Sequence, residues 1–339
     1  MAVWLNRAGS NGEYESKFLK DKRIYLTWGR VTQDLRTIKS KEMLYDWYED
    51  FYEVSRRSAI ASSTQIWKFI NIMNLEDIVV LPSKRNSTIH FGRIKSECKY
   101  DESSVDIYKH YRDVEWFALD IPRSKFDQDL LYSFGAFSTI CEIKRNNAED
   151  RINRMINNGW KTATIINDSI NKDNEDEVDI DLEQYSLDLI VKYIERKLKG
   201  YPLQSLIAGI LQAKGYHTFV PGEGADEGVD ILAGKGELGF LDPLICVQVK
   251  STDSPVDRAT LDQLIGTMNN FNANNGILVS WSGFKHSVEK VRAKQFFKVR
   301  LWNQIDVIKE LFENYNNLSE EIKNMVPLKR IWILTNNDL

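Results

Sequence analysis

Cysteine is scarce in this chain of 339 residues. Cys98, Cys141 and Cys246 are an odd number, widely spaced, with no Cys-x-x-Cys pair and only four histidines beside them. Disulfide scaffolding and structural zinc are therefore not expected. Long apolar runs are missing too. The richest, such as residues 244–249, fall far short of the ~20 residues that span a bilayer, and no charged-then-apolar leader opens the chain, so a soluble, cytoplasmic protein is expected. A strong excess of one charge is also absent, the net being -4. That small value hides an uneven distribution: residues 168–183 hold eight acidic residues against Lys172, while residues 1–167 are net basic. The overall balance thus says little for or against a nucleic-acid partner.

What is present is core material. Hydrophobic residues make up 42% of the chain, with 9 Trp, 14 Tyr and 15 Phe, which excludes wholesale disorder. The length suits two or three domains. The acidic, Asn-rich stretch has little to bury and marks the boundary, giving a domain over 1–165, a linker over 166–183 and a second domain over 184–339. In the first, β-branched and aromatic runs at 3–5, 24–26, 78–81, 89–91 and 116–119 read as strands, and residues 41–54 and 62–73 carry helical periodicity. A mixed α+β or β-barrel-like domain is predicted. In the second, helices are predicted over 182–198, 203–213, 257–271 and 285–293, and strands over 216–220, 229–233, 244–249, 276–280 and 299–302. That order is an α/β sandwich.

Chemistry concentrates in the second domain. Asp230 follows a glycine-rich turn, Gly222-Glu223-Gly224, and Gln248-Val249-Lys250 comes 18 residues later. On a strand, Gln248 and Lys250 share a face and Val249 takes the other. A carboxylate and an amide oxygen suit a hard divalent cation, Mg²⁺, and the ammonium suits negative charge growing on a phosphodiester. The same residues also fit a plain buried strand pair whose lysine reaches the surface. Taken alone the triplet does not decide between the two.

The surrounding residues extend the pattern. Gly215-Tyr216, Gly228-Val229-Asp230-Ile231, Cys246-Val247-Gln248-Val249-Lys250-Ser251 and Gly283-Phe284 resemble, in order and over roughly 200–302, the catalytic domain of Mrr-like restriction endonucleases, the PD-(D/E)xK variant with Gln-x-Lys. The resemblance implies a restriction-endonuclease-like fold, Asp230 and Gln248 as metal ligands for Mg²⁺, and Lys250 in the catalytic ammonium role. Relatives commonly place a Glu on the domain's first helix, where this chain has Gln204, so the site carries less negative charge. Glu223, Asp226 or Glu227 from the turn could compensate. Gln204 is equally readable as an ordinary helix-surface residue. Lys285, Lys290, Arg292 and Lys294 form a basic tract, read as a DNA-backbone surface or as a solvated face.

The first domain, through Val3-Trp4-Leu5, Trp28-Gly29, Trp67-x-Phe69, the run from Asp77 to Pro82 and Phe91-Gly92-Arg93, resembles EVE and related PUA-like domains over roughly 1–120. The family's Gly-Asp turn reads Glu76-Asp77 here. The resemblance implies a modified-base reader, with Trp4, Trp28, Trp67 and Trp116 as stacking candidates, although a Trp in such patterns is more often core. The combined expectation is a Mg²⁺-dependent, modification-dependent endonuclease acting on double-stranded DNA as a homodimer or higher homo-oligomer. Its rival is a non-catalytic reader that keeps the nuclease fold as a scaffold. RNA or single-stranded DNA remains open as substrate.

Overall fold

The computed structural model describes residues 1–84, 86–136, 138–160, 182–222 and 228–332. The acidic segment through residue 181 and the turn carrying Glu223, Asp226 and Glu227 lie outside the described residues. Contacts divide the chain between Asp188 and Leu189, inside a helix.

The N-terminal unit is built on a sheet of seven strands: β1 Val3–Asn6, β2 Arg23–Tyr25, β3 Ile78–Pro82, β4 Thr88–Ile94, β5 Lys99–Tyr100, β6 His110–Pro122 and β7 Ile140–Glu142. The order is β2-β6-β4-β3-β1-β7, with β5 beside β6. Among the described residues β2 and β7 do not meet, so the predicted mixed α+β or barrel-like domain takes the form of a curled, open half-barrel. The long β6 spans more than the predicted 116–119 because its outer positions alternate buried and half-buried, a half-solvated pattern that carries polar residues. The helices are α1 Glu15–Asp21, α2 Lys41–Tyr52, α3 Arg56–Trp67, α4 Gln128–Phe134 and α5 Ala148–Asn157. Ser40 and Ser55 cap α2 and α3 by accepting from the N–H of Met43 and Ser58.

Two buried groups hold this unit. Asp77 accepts from Ala2 N–H (2.8 Å), Trp4 Nε1–H (2.9 Å) and Asn74 N–H (2.9 Å), tying the first strand to the turn before β3. That turn puts Glu76 at φ +69, the left-handed position that glycine occupies without penalty. Arg112, on β6, donates to the carbonyls of Phe69, Ile70 and Ser96, so it caps the π-helical turn Lys68–Ile72 that ends α3. Arg123 is paired with Asp188 through Nε (2.7 Å) and Nη2 (2.5 Å), both side chains being buried. Asp188 lies on α6, Leu182–Lys197. This pair explains why the division falls after Asp188.

The C-terminal unit has a sheet ordered β12-β11-β10-β9-β8, from β8 His217–Phe219, β9 Ile231–Lys235, β10 Leu241–Lys250, β11 Asn275–Ser280 and β12 Val299–Asn303. β10, β11 and β12 run parallel, while β8 and β9 are antiparallel additions. The parallel strands are near-continuously apolar, as sheets covered on both faces require. α7 Tyr201–Ala213 buries Leu203, Leu206, Ile207 and Ile210, and α8 Arg258–Asn270 buries Leu261, Leu264 and Met268. The predicted helix over 285–293 is shortened to α9, His286–Glu289, followed by turns. The unit ends with α10 Gln304–Asn314, opened by an Asn303/Asp306 capping box, and α11 Glu320–Met325.

Candidate active site

Asp230 stands immediately before β9, where Gly228 at φ +85 turns the chain into the strand. Its backbone N–H reaches Val247 O (2.9 Å). Its carboxylate is gripped from two sides: Val249 N–H donates to Oδ2 (2.6 Å) and Gln204 Nε2–H donates to Oδ1 (2.8 Å). Gln204 projects from the first turn of α7, so the structure brings together two residues 26 positions apart. One donor comes from β10 and one from the helix.

Gln248 is 2% exposed, and its amide oxygen is buried with no hydrogen-bond partner. An orphan acceptor of this kind costs about 1–3 kcal/mol and calls for an explanation. A carboxylate at the head of β9 and an unpaired amide oxygen on the neighbouring β10 are donors of the kind a hard oxygen-seeking cation takes, the donor chemistry predicted for Mg²⁺. No group of three or more His, Cys, Asp or Glu side chains able to hold a metal occurs among the described residues. Lys250 ends β10, half-buried, paired in register with Ser280 of β11.

Five further residues were given no role by sequence reasoning. A shallow cleft beside the end of β10 is lined by Glu195, Lys199, Ser251, Asp253 and Trp281, among others. Lys199 is paired with Asp253 (3.0 Å), and Ser251 accepts from Gly200 N–H (3.1 Å). Trp281 is buried with its indole N–H unpaired. Glu195 adds a carboxylate to this wall. The only sequence signal was position: Ser251 and Trp281 directly follow β10 and β11.

The basic tract is not brought together. Lys285, Lys290, Arg292 and Lys294 are all exposed but lie along a short helix and irregular turns, so no helix face gathers them. Arg292 is paired with Glu289 (3.3 Å), and Lys285 lies 3.8 Å from Asp257.

The stacking candidates in the N-terminal unit differ in exposure. Trp4 is 1% exposed and its N–H is spent on Asp77, so it is core. Trp28, Trp67 and Trp116 are half-buried against the same core. Trp116 donates to Phe18 O (3.2 Å) and lies over Gly92, where a Cβ would sit 2.8 Å from its ring. The aromatic pair nearer solvent is Trp47 and Phe51 on α2, stacked at 4.9 Å and 22°. Their i, i+4 spacing was the available signal.

Residues 195–311 match the restriction endonuclease family (Mrr catalytic domain), and residues 3–135 match a domain of unknown function (DUF8426). No curated protein matches the chain. Two solved structures are similar at 12% identity: a DNA modification-dependent restriction endonuclease, AspBHI, covering 90% of this chain and 79% of that one with a TM-score of 0.33, and the MspJI restriction endonuclease in complex with a 27-mer oligonucleotide, covering 90% and 73% with a TM-score of 0.32. Scores of that size do not amount to a shared whole-chain fold. The C-terminal unit is restriction-endonuclease-like, on the family match.

Proposed function

We propose that this chain is a modification-dependent DNA endonuclease whose chemistry resides in the C-terminal unit. The observation that carries the reading is the Asp230 carboxylate, held at the head of β9 by Gln204 and Val249, on strands where Gln248 offers an unpaired oxygen. Asp230 and Gln248 would hold Mg²⁺, which when bound supplies charge to polarise the phosphodiester and acidify water. Lys250 places an ammonium where negative charge grows on the phosphoryl oxygens as water attacks phosphorus and the ester P–O bond breaks. The N-terminal unit would serve as the PUA-like reader of a modified base, with the segment 166–183 as linker. Sequence-selective contacts and phosphate chemistry are then divided between units.

A non-catalytic reading draws on Gln204. Its amide donates to the atom of Asp230 that would otherwise ligate a cation, and it adds no charge of its own. Incubating the purified chain with matched plasmids, modified and unmodified, with and without Mg²⁺, separates the readings. Cleavage is expected only with Mg²⁺ and faster on modified DNA. Binding without cleavage on any nucleic acid would favour the scaffold.

A further inference from the structure

The basic tract that no helix face gathers ends in a turn that does gather side chains. Residues 290–300 hold five cations, Lys290, Arg292, Lys294, Lys298 and Arg300, and no acid. Lys298 N–H donates to Gln295 O (2.9 Å), closing a β-turn with Phe296 and Phe297 at its two corners. Phe296 is 53% exposed and Phe297 89%, and neither joins the core cluster that takes in Val291, Val299 and Leu301. Turn corners are ordinarily glycine, proline, asparagine, aspartate or serine, so two phenylalanines there break a local rule, as functional positions do. The turn is held in place: Asn275 Nδ2–H donates to Phe297 O (3.0 Å), Gly276 N–H to Lys298 O (2.8 Å) and Arg300 to Phe296 O. The guanidinium of Arg300 lies 3.9 Å over the Phe296 ring, and the two rings meet edge to face at 5.2 Å.

We infer that this turn is a contact for single-stranded nucleic acid, its cations meeting the phosphates and its exposed rings the bases. Charge selects the ligand class. Glu289, ahead of the tract, is paired with Arg292 (3.3 Å), and among the described residues Lys290, Lys294, Lys298 and Arg300 enter no ion pair, a field that suits phosphate. The rings narrow the class. A duplex turns its base faces inward, and an aromatic side chain reaches them only by unstacking a step, whereas an unpaired strand offers every face for stacking whatever its sequence. Arg300 argues against a lipid surface: inserting Phe296 into the apolar layer would carry in the guanidinium that lies over it, while a base accepts both ring and cation. Position sets the contact apart from the candidate site. Lys250, Ser280 and Asn303 are level across β10, β11 and β12. Phe297 comes six residues before Asn303, about 20 Å back along the strand direction. A strand gripped there is gripped by residues outside that site, so the inference does not rest on the nuclease reading.

Fluorescence anisotropy of the full chain tests it, in chelator so that nothing is cut, against a labelled oligothymidylate and its duplex with oligoadenylate at several salt concentrations. The wild-type chain is expected to bind the single strand. Phe296→Ala with Phe297→Ala should weaken that binding at least about 10-fold and duplex binding less, and Phe297→Trp alone should keep it. Lys294→Ala with Lys298→Ala should lower the slope of log affinity against log salt by about 1.4, two phosphate contacts at about 0.7 each. These side chains are exposed, so circular dichroism and melting should not change. No binding of the single strand by the wild type, undiminished binding by the phenylalanine variant, or a loss on the duplex equal to or above that on the single strand overturns the inference. Adsorption to mixed phosphatidylserine and phosphatidylcholine vesicles that the phenylalanine variant loses, while its oligonucleotide binding stays, would assign the turn to a membrane and overturn it too.

Discussion

The two units bury polar groups for different ends. In the N-terminal unit Glu15, Asp77, His90, His110, Arg112 and Arg123 are all buried, and nearly every one is met by a partner placed for it. In the C-terminal unit the buried polar side chains among the described residues are Gln248, Thr267 and Ser280, none of them charged. There the orphans, Gln248 Oε1 and the Trp281 indole N–H, lie on or beside the strands carrying Asp230 and Lys250. Orphaned atoms occur in the first unit too, on Asn6, Glu15 and Gln128, but its buried charged side chains each have a bonded partner. The second unit buries no charged side chain among the described residues, and its orphans are the kind of unmet bond a ligand can complete.

The largest effect that would sharpen this contrast is Lys250→Ala. If the ammonium acts on developing charge, cleavage should fall by a factor of about 10² or more, with DNA affinity and melting little changed. Wild-type turnover would break the comparison from the functional side. Arg112→Leu probes the structural side. It strands the carbonyls of Phe69, Ile70 and Ser96 and should cost about 3 kcal/mol or more, read by denaturant titration. A neutral result would mean that the buried cation is dispensable.

Acid should act on the first unit through His110. Burial pushes His110 down to about 4, and its Nε2 accepts from Leu35 N–H as the neutral ring must. The unfolded chain takes up the proton near pH 6.5, so this stability is fully present above that pH and is lost as pH falls from about 6.5 to about 4, by roughly 3 kcal/mol at most. His110→Gln should flatten this pH dependence. A smaller effect is expected from Gln204→Glu, which sets a second carboxylate against Asp230. Its C-terminal unit should melt lower in chelator, recover with Mg²⁺ and need less Mg²⁺ for half-maximal cleavage. Smallest, Glu76→Gly should stabilise the first unit by about 1 kcal/mol by relieving a left-handed non-glycine residue, at the cost of an exposed pair with Lys95.

Many strand positions were legible because β-branched runs such as Ile78-Val79-Val80-Leu81 admit little else, whereas Gln204 was singled out only by the family resemblance, and its bond to Asp230 is a tertiary contact. Short elements were not legible: β7 has three residues, too few for alternation, and α1 has seven. Trp4 misled because its environment is tertiary, set by an aspartate 73 positions away. Arg112 and Arg123 were given no role for the same reason: their partners lie far away in the sequence. The Asn303-x-x-Asp306 box was a local signal that went unread.

The most direct test sets Asp230→Asn beside Asp77→Asn in the full chain, with cleavage of modified plasmid and melting temperature measured on both. Asparagine at 230 can keep both hydrogen bonds if the Gln204 amide turns over, whereas at 77 it leaves at least one of three donors unpaired. The expected result is lost cleavage with unchanged melting for Asp230→Asn, and lowered melting with retained cleavage for Asp77→Asn. Full cleavage by Asp230→Asn would contradict the assignment of the nuclease site.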